Sequence, residues 1–230
     1  SALYGSSAIG GTINIITKEP LRNSGELSHT LTSLGVTGAL DNNTTLNASL
    51  VTDDRKAGLT IYGQSRIRDA YDHDGDGFVE IPTIKSQTIG TQAYIKTSAY
   101  SKLTLDYHAT NEYRRGGDRL DLPPHEALIA ETTDHLINSG GLSFDGTSKD
   151  SKHRYSIFAS AQATNRDSYY GADKNPHAYG KTDGTTAVAG AQYLCSGAVF
   201  LSYYRFIFVN FFNIDMFNDA GIELLYDTVD

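Results

Sequence analysis

Apolar and polar residues alternate along much of this chain, most clearly from Leu103 to Arg114. Leu103, Leu105, Tyr107, Ala109, Asn111 and Tyr113 occupy the odd positions. Thr104, Asp106, His108, Thr110, Glu112 and Arg114 occupy the even ones. Side chains of a strand point alternately to its two faces, so this stretch predicts a strand with one largely apolar and one polar face. A helix would scatter Leu and Asp around its whole circumference. The segment is long for an ordinary soluble sheet. The pattern recurs from Arg154 to Tyr170, where Tyr155, Ile157, Ala159, Ala161 and Ala163 oppose Ser156, Ser160, Gln162, Thr164 and Arg166, with Phe158 interrupting the polar side. Thr44–Asp53 sets Leu46, Ala48 and Leu50 against Thr45, Asn47 and Ser49. In the next stretch Leu59, Ile61, Gly63 and Ile67 oppose Thr60, Tyr62, Gln64 and Arg66. Thr91–Ala99, Ile137–Phe144 and Thr186–Leu194 are weaker versions. Glu26–Gly35 is ambiguous, because Leu31 and Leu34 fall on opposite faces.

The connections alternate as well. Those near Asp53–Lys56, Ala99–Lys102 and Thr147–Lys152 are tight and polar. Those at Asp69–Gln87, Gly116–Asp134 and Asp167–Gly184 are long and charged, with Gly, Pro or both. Short and long links in turn predict an antiparallel up-and-down transmembrane β-barrel, with short turns at one membrane surface and long loops at the other. A secreted β-sandwich with Greek-key links gives no reason to gather long loops at one end. At roughly 20–25 residues per strand and connection, about eight strands fit.

Composition narrows the function classes. The formal charge is −8 and the pI about 5.3, against a nucleic-acid partner held by a basic surface. Charged residues are only 20% and Tyr contributes 15 positions, which is not the composition of a disordered chain. The single Cys195 excludes an internal disulfide framework and a multi-thiolate zinc site. No targeting peptide is visible at Ser1, and up to about residue 185 no apolar run reaches the ~20 residues of a membrane helix.

The start of the chain, Ser1-Ala2-Leu3-Tyr4-Gly5-Ser6-Ser7-Ala8-Ile9-Gly10-Gly11-Thr12-Ile13-Asn14-Ile15-Ile16-Thr17-Lys18, closely resembles the end of the plug domain of TonB-dependent outer-membrane receptors. Gly5, Gly10 and Gly11 permit a tight backbone path there, and Ile13, Ile15 and Ile16 form the strand that follows. The resemblance covers roughly residues 1 to 194. It implies the end of a plug at 1–20 and the N-terminal part of a barrel at 21–194, in the bacterial outer membrane. The complete barrel of that family has 22 strands around a plugged lumen, so the chain reads as an internal fragment. The resemblance further implies active uptake of a scarce nutrient, of the cobalamin or ferric siderophore class. It also implies outer-membrane lipid around the barrel, and energy from TonB through a segment absent from this chain. No cofactor is required by this reading. A sheet with two open edges invites mispairing, so the isolated polypeptide is expected not to form a monodisperse monomer in water.

Residues 195–230 depart from the pattern. Cys195–Asn213 carries one charge, Arg205, and a concentration of Phe (Phe200, Phe206, Phe208, Phe211 and Phe212) found nowhere upstream. The tail reads as two lipid-facing strands, an unrelated helix, or a non-native, frameshifted end.

The strongest local chemical signal is Asp72-His73-Asp74-Gly75-Asp76-Gly77-Phe78-Val79-Glu80, the first half of a calcium loop. Carboxylates at alternating positions aim hard oxygens at one centre, Gly77 permits the sharp turn, the Phe78 carbonyl adds a ligand and Glu80 is a substitute acidic one. Thr83 stands where an EF-hand needs its bidentate Glu, so a complete EF-hand is not expected. A solvated acidic turn has the same composition. Asp106, His108, Glu112 and Arg114 share the polar face of the clearest strand and are candidates for lining the lumen and touching the transported ligand. Arg114, Arg115 and Arg119 set three guanidinium groups near the outer rim, suited to an anionic ligand or lipopolysaccharide phosphates, or to anchoring the loop. Tyr169, Tyr170 and Tyr179 suit either ligand contact or the membrane interface. Enzyme signatures are missing: after His125-Glu126, Ile129 stands where a zincin needs its second His, and Gly75-Asp76-Gly77 lacks the third Gly of a dinucleotide fingerprint. The chain therefore reads as a receptor and not an enzyme. The competing reading is a calcium-stabilised secreted or surface β-sandwich, a binding module or adhesin.

Overall fold

The computed structural model describes residues 19–35 and 38–196, together with the backbone of a strand at 201–216. The chain is all-β. Nine strands lie in one antiparallel sheet in strict chain order, so each pairs only with its sequence neighbours. They are β1 (Ser24–Leu34), β2 (Ala39–Val51), β3 (Ala57–Arg68), β4 (Phe78–Ser98), β5 (Ser101–Asp118), β6 (Ile129–Thr147), β7 (His153–Ala172), β8 (Tyr179–Ser196) and β9 (Leu201–Met216). A single turn of 3₁₀ helix at Pro124–Glu126 is the one helical element among the described residues. Among the described residues no helix is long and apolar enough to cross a membrane. Among the described residues no pairing joins β1 to the far side of the sheet, and no strand crosses over into a second layer. The Greek-key sandwich is therefore not the fold. Of the expected plug segment at 1–20, residues 1–18 lie outside the described residues, as do 197–200 and 217–230 of the tail.

The register fixes which residues share a face, because partners across an antiparallel ladder project to the same side. Four consecutive rows on one face are apolar almost throughout. One runs Ala57–Ile95–Leu103–Phe144–Ile157–Ala191, the next Leu50–Leu59–Ala93–Leu105–Leu142–Ala159–Ala189. The third passes through Ala48, Ile61, Tyr107, Ala161 and Ala187, the fourth through Leu27, Leu46, Ile89 and Ala163. These side chains are uncovered: Leu27 is 73% exposed, Ile157 58% and Leu105 48%. Below the band, towards the short turns, a row carries Tyr155 opposite Tyr193. Monomers in water rarely leave so extended an apolar surface open.

The opposite face is polar and more enclosed. Ser49, Ile84, Ser86, Tyr94 and Thr133, all buried, lie on it. Glycines there admit rings from neighbouring strands. A Cβ on Gly90 would stand 2.2 Å from Tyr62 Cζ, and one on Gly58 2.4 Å from the Tyr94 ring.

The short turns fall at residues 52–56, 99–100 and 148–152, in line with the sequence pattern. The long connections are shorter than the sequence suggests, at 69–77, 119–128 and 173–178, because β4 to β8 run on into the charged stretches. Polar residues pair as readily as apolar ones once neither face needs to be dry. Pro82 interrupts β4, and the ladder to β5 shifts register between Val79 and Thr83, as a residue without an N–H requires. Past Leu194 the sheet does not break: β8 continues to Ser196, and β9 pairs with it from Ser196↔Leu201 to Lys181↔Met216.

At the long-connection end two loops interlock. Tyr169, 1% exposed, packs with Ala127, Ala130 and Ala178. Its hydroxyl donates to the Asn175 carbonyl at 2.9 Å, and its ring meets Tyr179 edge-on at 4.9 Å. Backbone bonds from Asp173 N–H to Leu128 O and from Lys174 N–H to Ala127 O tie the two loops together.

Candidate functional site

The enclosed polar face brings together most of the residues singled out from the sequence. Asp106, His108, Glu112 and Arg114 all lie on it, as the alternation of β5 requires. Asp106 leans over Gly141, where a Cβ would come within 2.7 Å of its carboxylate. His108 is held from two sides: the Tyr62 hydroxyl reaches Nδ1 at 3.4 Å across Gly90, and Thr110 Oγ1 meets Nε2 at 3.0 Å. Its ring stacks on Tyr62 with centroids 6.1 Å apart. His108 is thus a hydrogen-bonding group of the face, with both nitrogens engaged.

Towards the long loops this face becomes strongly charged. Arg66 grips Asp41 with Nε and Nη2, the shorter bond 2.6 Å. That bond holds the Asp41 carboxyl below its usual range and raises the Arg66 guanidinium. Arg68 donates Nε and Nη2 to the Pro82 carbonyl at 3.1 and 3.0 Å. Burial, and then the Arg66 charge, push Arg68 down. Arg114 donates Nε to Glu112 at 2.7 Å. Burial pushes the Glu112 carboxyl up, but the Arg114 hydrogen bond and charge outweigh it, and the net displacement is downward. The next strands add His135 opposite Glu112, Arg166 opposite His135, and Tyr170 opposite Glu131.

The three rim arginines part company. Arg114 joins the charged face. Arg115 points to the other side, is buried beneath the 119–128 loop, and donates to the carbonyls of Gly116 at 2.6 Å and Asp118 at 3.3 Å. It is an anchor of the loop, not part of the polar face. Arg119, with φ of 48°, sits in the loop 3.6 Å from Asp118. Of the tyrosines, Tyr170 belongs to the polar face, while Tyr169 and Tyr179 pack in the rim on the opposite side.

The acidic loop gathers as its composition suggests. Ligand oxygens of Asp72, Asp74, Asp76 and Glu80 lie within 4.8 Å of one another. Calcium–oxygen bonds of about 2.4 Å set opposite ligands about 4.8 Å apart, so these four fit one ion. Backbone N–H groups already organise the loop. Asp72 accepts from Gly75 at 2.7 Å and Gly77 at 2.8 Å, Asp76 from Phe78 at 2.8 Å, and Glu80 from His73 at 2.6 Å. Gly75 and Gly77 take positive φ of 80° and 89°, which these turns need. Phe78 contributes its N–H to this web and opens β4 opposite Asp118.

Three features were not singled out in the sequence. Arg66 and Arg68 share the polar parity of β3, but only the register brings them beside Arg114. Arg166 and His135 join Glu112 through pairings that no spacing announces. Finally, Lys102 on the polar face of β5 forms an ion pair with Glu19, and Asn23 Oδ1 accepts the Val51 N–H at 2.7 Å. These contacts fasten the chain preceding β1 to the short-turn end. No family model, curated protein or solved structure matched this chain on comparison.

Proposed function

We propose that this chain is part of a TonB-dependent outer-membrane receptor, contributing the end of a plug and an arc of the barrel, and serving active uptake of a scarce nutrient of the cobalamin or ferric siderophore class. The observation that carries the reading is the continuous, uncovered apolar band backed by an enclosed, charged face. Four rows about 6.8 Å apart, inclined by about 40°, span about 16 Å from first to last, and the Tyr155–Tyr193 row extends this to about 21 Å before the reach of the side chains at either edge is added. Outer-membrane barrels present an apolar belt of about 25 Å edged by aromatics. The ion pair of Glu19 with Lys102 supports a plug that enters on the polar side, since it holds the first described residue against that face.

On this reading the chain is not an enzyme, its partners are outer-membrane lipid, the nutrient and TonB, and it has no nucleic-acid partner. The loop at Asp72–Glu80 seats a Ca²⁺ ion on the outer side, where four carboxylates otherwise repel one another. Its binding strength would fall in the ~10⁻⁴–10⁻³ M range of extracellular modules.

The membrane part of the reading is tested with single-cysteine variants on a Cys195→Ser background, labelled with an environment-sensitive dye in liposomes. Dye at Leu105→Cys shifts to the blue and is quenched by spin-labelled acyl chains, whereas dye at Thr104→Cys is not. Equal quenching at both sites refutes a one-sided lipid face. The transport part is tested by deleting the gene and measuring uptake of radiolabelled cobalamin and ferric siderophores. Unchanged uptake of both refutes it.

A further inference from the structure

Where β5, β6 and β7 lie side by side at the charged end of the polar face, they line a half-open cleft of about 420 Å³. Its walls carry Glu112, Arg114, Glu131, His135, Arg166 and Tyr170. The volume suits a small metabolite. Two opposite charges in this cleft are left without an ionic partner. Arg166 forms no ion pair among the described residues; its Nη2 donates to the Tyr170 hydroxyl at 3.0 Å, and its Nε is buried with no acceptor. A buried donor without an acceptor is unfavourable and calls for a partner that the described residues do not provide. Glu131 forms no ion pair among the described residues either, and its carboxylate lies against Gly116, where a Cβ would stand 3.0 Å from Oε1. Arg114, half-exposed, gives Nε to Glu112 and faces the same space.

The spacing of the two arginines adds a second constraint. Arg114 is on β5 and Arg166 on β7, with β6 between and an offset of two residues along the strands, since Arg166 lies in the row of Glu112 and His135, so their backbones are about 12 Å apart. Guanidinium groups reaching inward from that distance match two carboxylates on one small molecule better than a single oxyanion. Glu131 and the Tyr170 hydroxyl then remain to meet hydroxyl groups.

We propose that this cleft binds a small hydroxylated polycarboxylate, with one carboxylate on Arg166, a second on Arg114, and a ligand hydroxyl donating to Glu131. This rests on the receptor reading for its biological setting and names the chemical class taken at the charged end of the lumen face.

The test uses the full chain in detergent micelles, with citrate as the probe and acetate as the single-carboxylate comparison, both followed by calorimetric titration. Far-UV circular dichroism of the same samples reports whether the sheet is present. Wild type takes citrate at least roughly tenfold more tightly than acetate, because two charge-assisted contacts replace one. Arg166→Gln weakens citrate roughly tenfold, and Arg166→Lys, which keeps the charge without the fork, falls between. Arg154→Gln, on the same strand and face at the opposite end, leaves citrate binding unchanged. A β-rich chain that takes no citrate, or that loses it equally in Arg154→Gln and Arg166→Gln, overturns this inference and leaves the barrel reading standing. A chain with no β signal in detergent overturns both.

Discussion

A charge placed on the apolar face has a cost that depends on row if that face meets lipid, and no such dependence if it meets water. Leu105 and Leu142 are cross-strand partners in the middle of the band, 48% and 46% exposed. Leu136, on the same strand and face as Leu142, lies beyond the band in a row shared with Asn111 and Asn165, yet is also 46% exposed. In water the three are equivalent, and replacement of any of them by Arg stays within about 0.5 kcal/mol, as for other surface substitutions. In a bilayer Leu105→Arg and Leu142→Arg sit near the midplane and each costs about 2–4 kcal/mol, while Leu136→Arg near the interface costs about 0–1 kcal/mol. At 1.4 kcal/mol per tenfold change, the mid-band variants lose roughly 30-fold to 1,000-fold in the equilibrium for ordered, inserted sheet. Urea titration of the chain in liposomes, followed by far-UV circular dichroism and by protection from added protease, measures this directly. Thr104→Arg, next to Leu105 but on the polar face, serves as the control and shifts the midpoint little. Equal midpoints for Leu105→Arg and Leu136→Arg would refute the assignment of the apolar band to lipid, whatever their absolute values.

Gly90→Ala brings a Cβ into the Tyr62 ring, displaces it and breaks its contact with His108, at a cost of about 1–3 kcal/mol; the same substitution on a Tyr62→Ala background is nearly neutral, and a double-mutant cycle by urea unfolding reads the difference. Asp41 has its folded-state pKa lowered by Arg66, so the pair contributes stability above the unfolded carboxyl pKa of about 3.9 and loses it as the pH falls through the lowered folded value. Asp41→Asn therefore flattens the acid limb of a stability–pH curve below about pH 4 and leaves its shape near pH 7 unchanged. Millimolar Ca²⁺ slows limited proteolysis within 69–77 and a chelator restores it, whereas Asp74→Asn and Asp76→Asn together abolish the Ca²⁺ effect; cleavage indifferent to Ca²⁺ in the wild type refutes the cation seat. Lys102→Glu repels Glu19 and exposes the chain before β1 to protease, and Glu19→Lys on that background restores protection by reversing the pair.

The sequence is most legible where the two faces of a strand differ most. Leu103–Arg114 shows its period because one side meets a surface that must be apolar and the other a wet one, and β5 contains that whole segment. At β1 the same logic weakens. Leu31 projects on the apolar side opposite Asn42, while Leu34 ends the strand opposite Ala39, beyond the band, where parity carries no penalty. The charged upper halves of β4 to β8 read as loops for a related reason: backbone ladder bonds hold them, and these leave no trace in side-chain pattern. The acidic loop was legible because Asx turns and glycines act over a few residues. The Arg166 cleft was not, since its members come from three strands and meet only through register. Arg115 shows the limit of parity at a rim, where a covering loop turns a charged side chain into a buried tether.

The apolar band does not sit at mid-height of the sheet. It lies close to the short turns, and β5 continues past it from Thr110 to Asp118. Nine more residues at about 3.3 Å each, inclined by about 40°, raise the far end roughly 23 Å above the uppermost greasy row. A lipid headgroup layer is only a fraction of that depth. If the band meets lipid, the interlocked crest around Tyr169 stands like a parapet above the bilayer, where an arriving molecule touches protein before membrane.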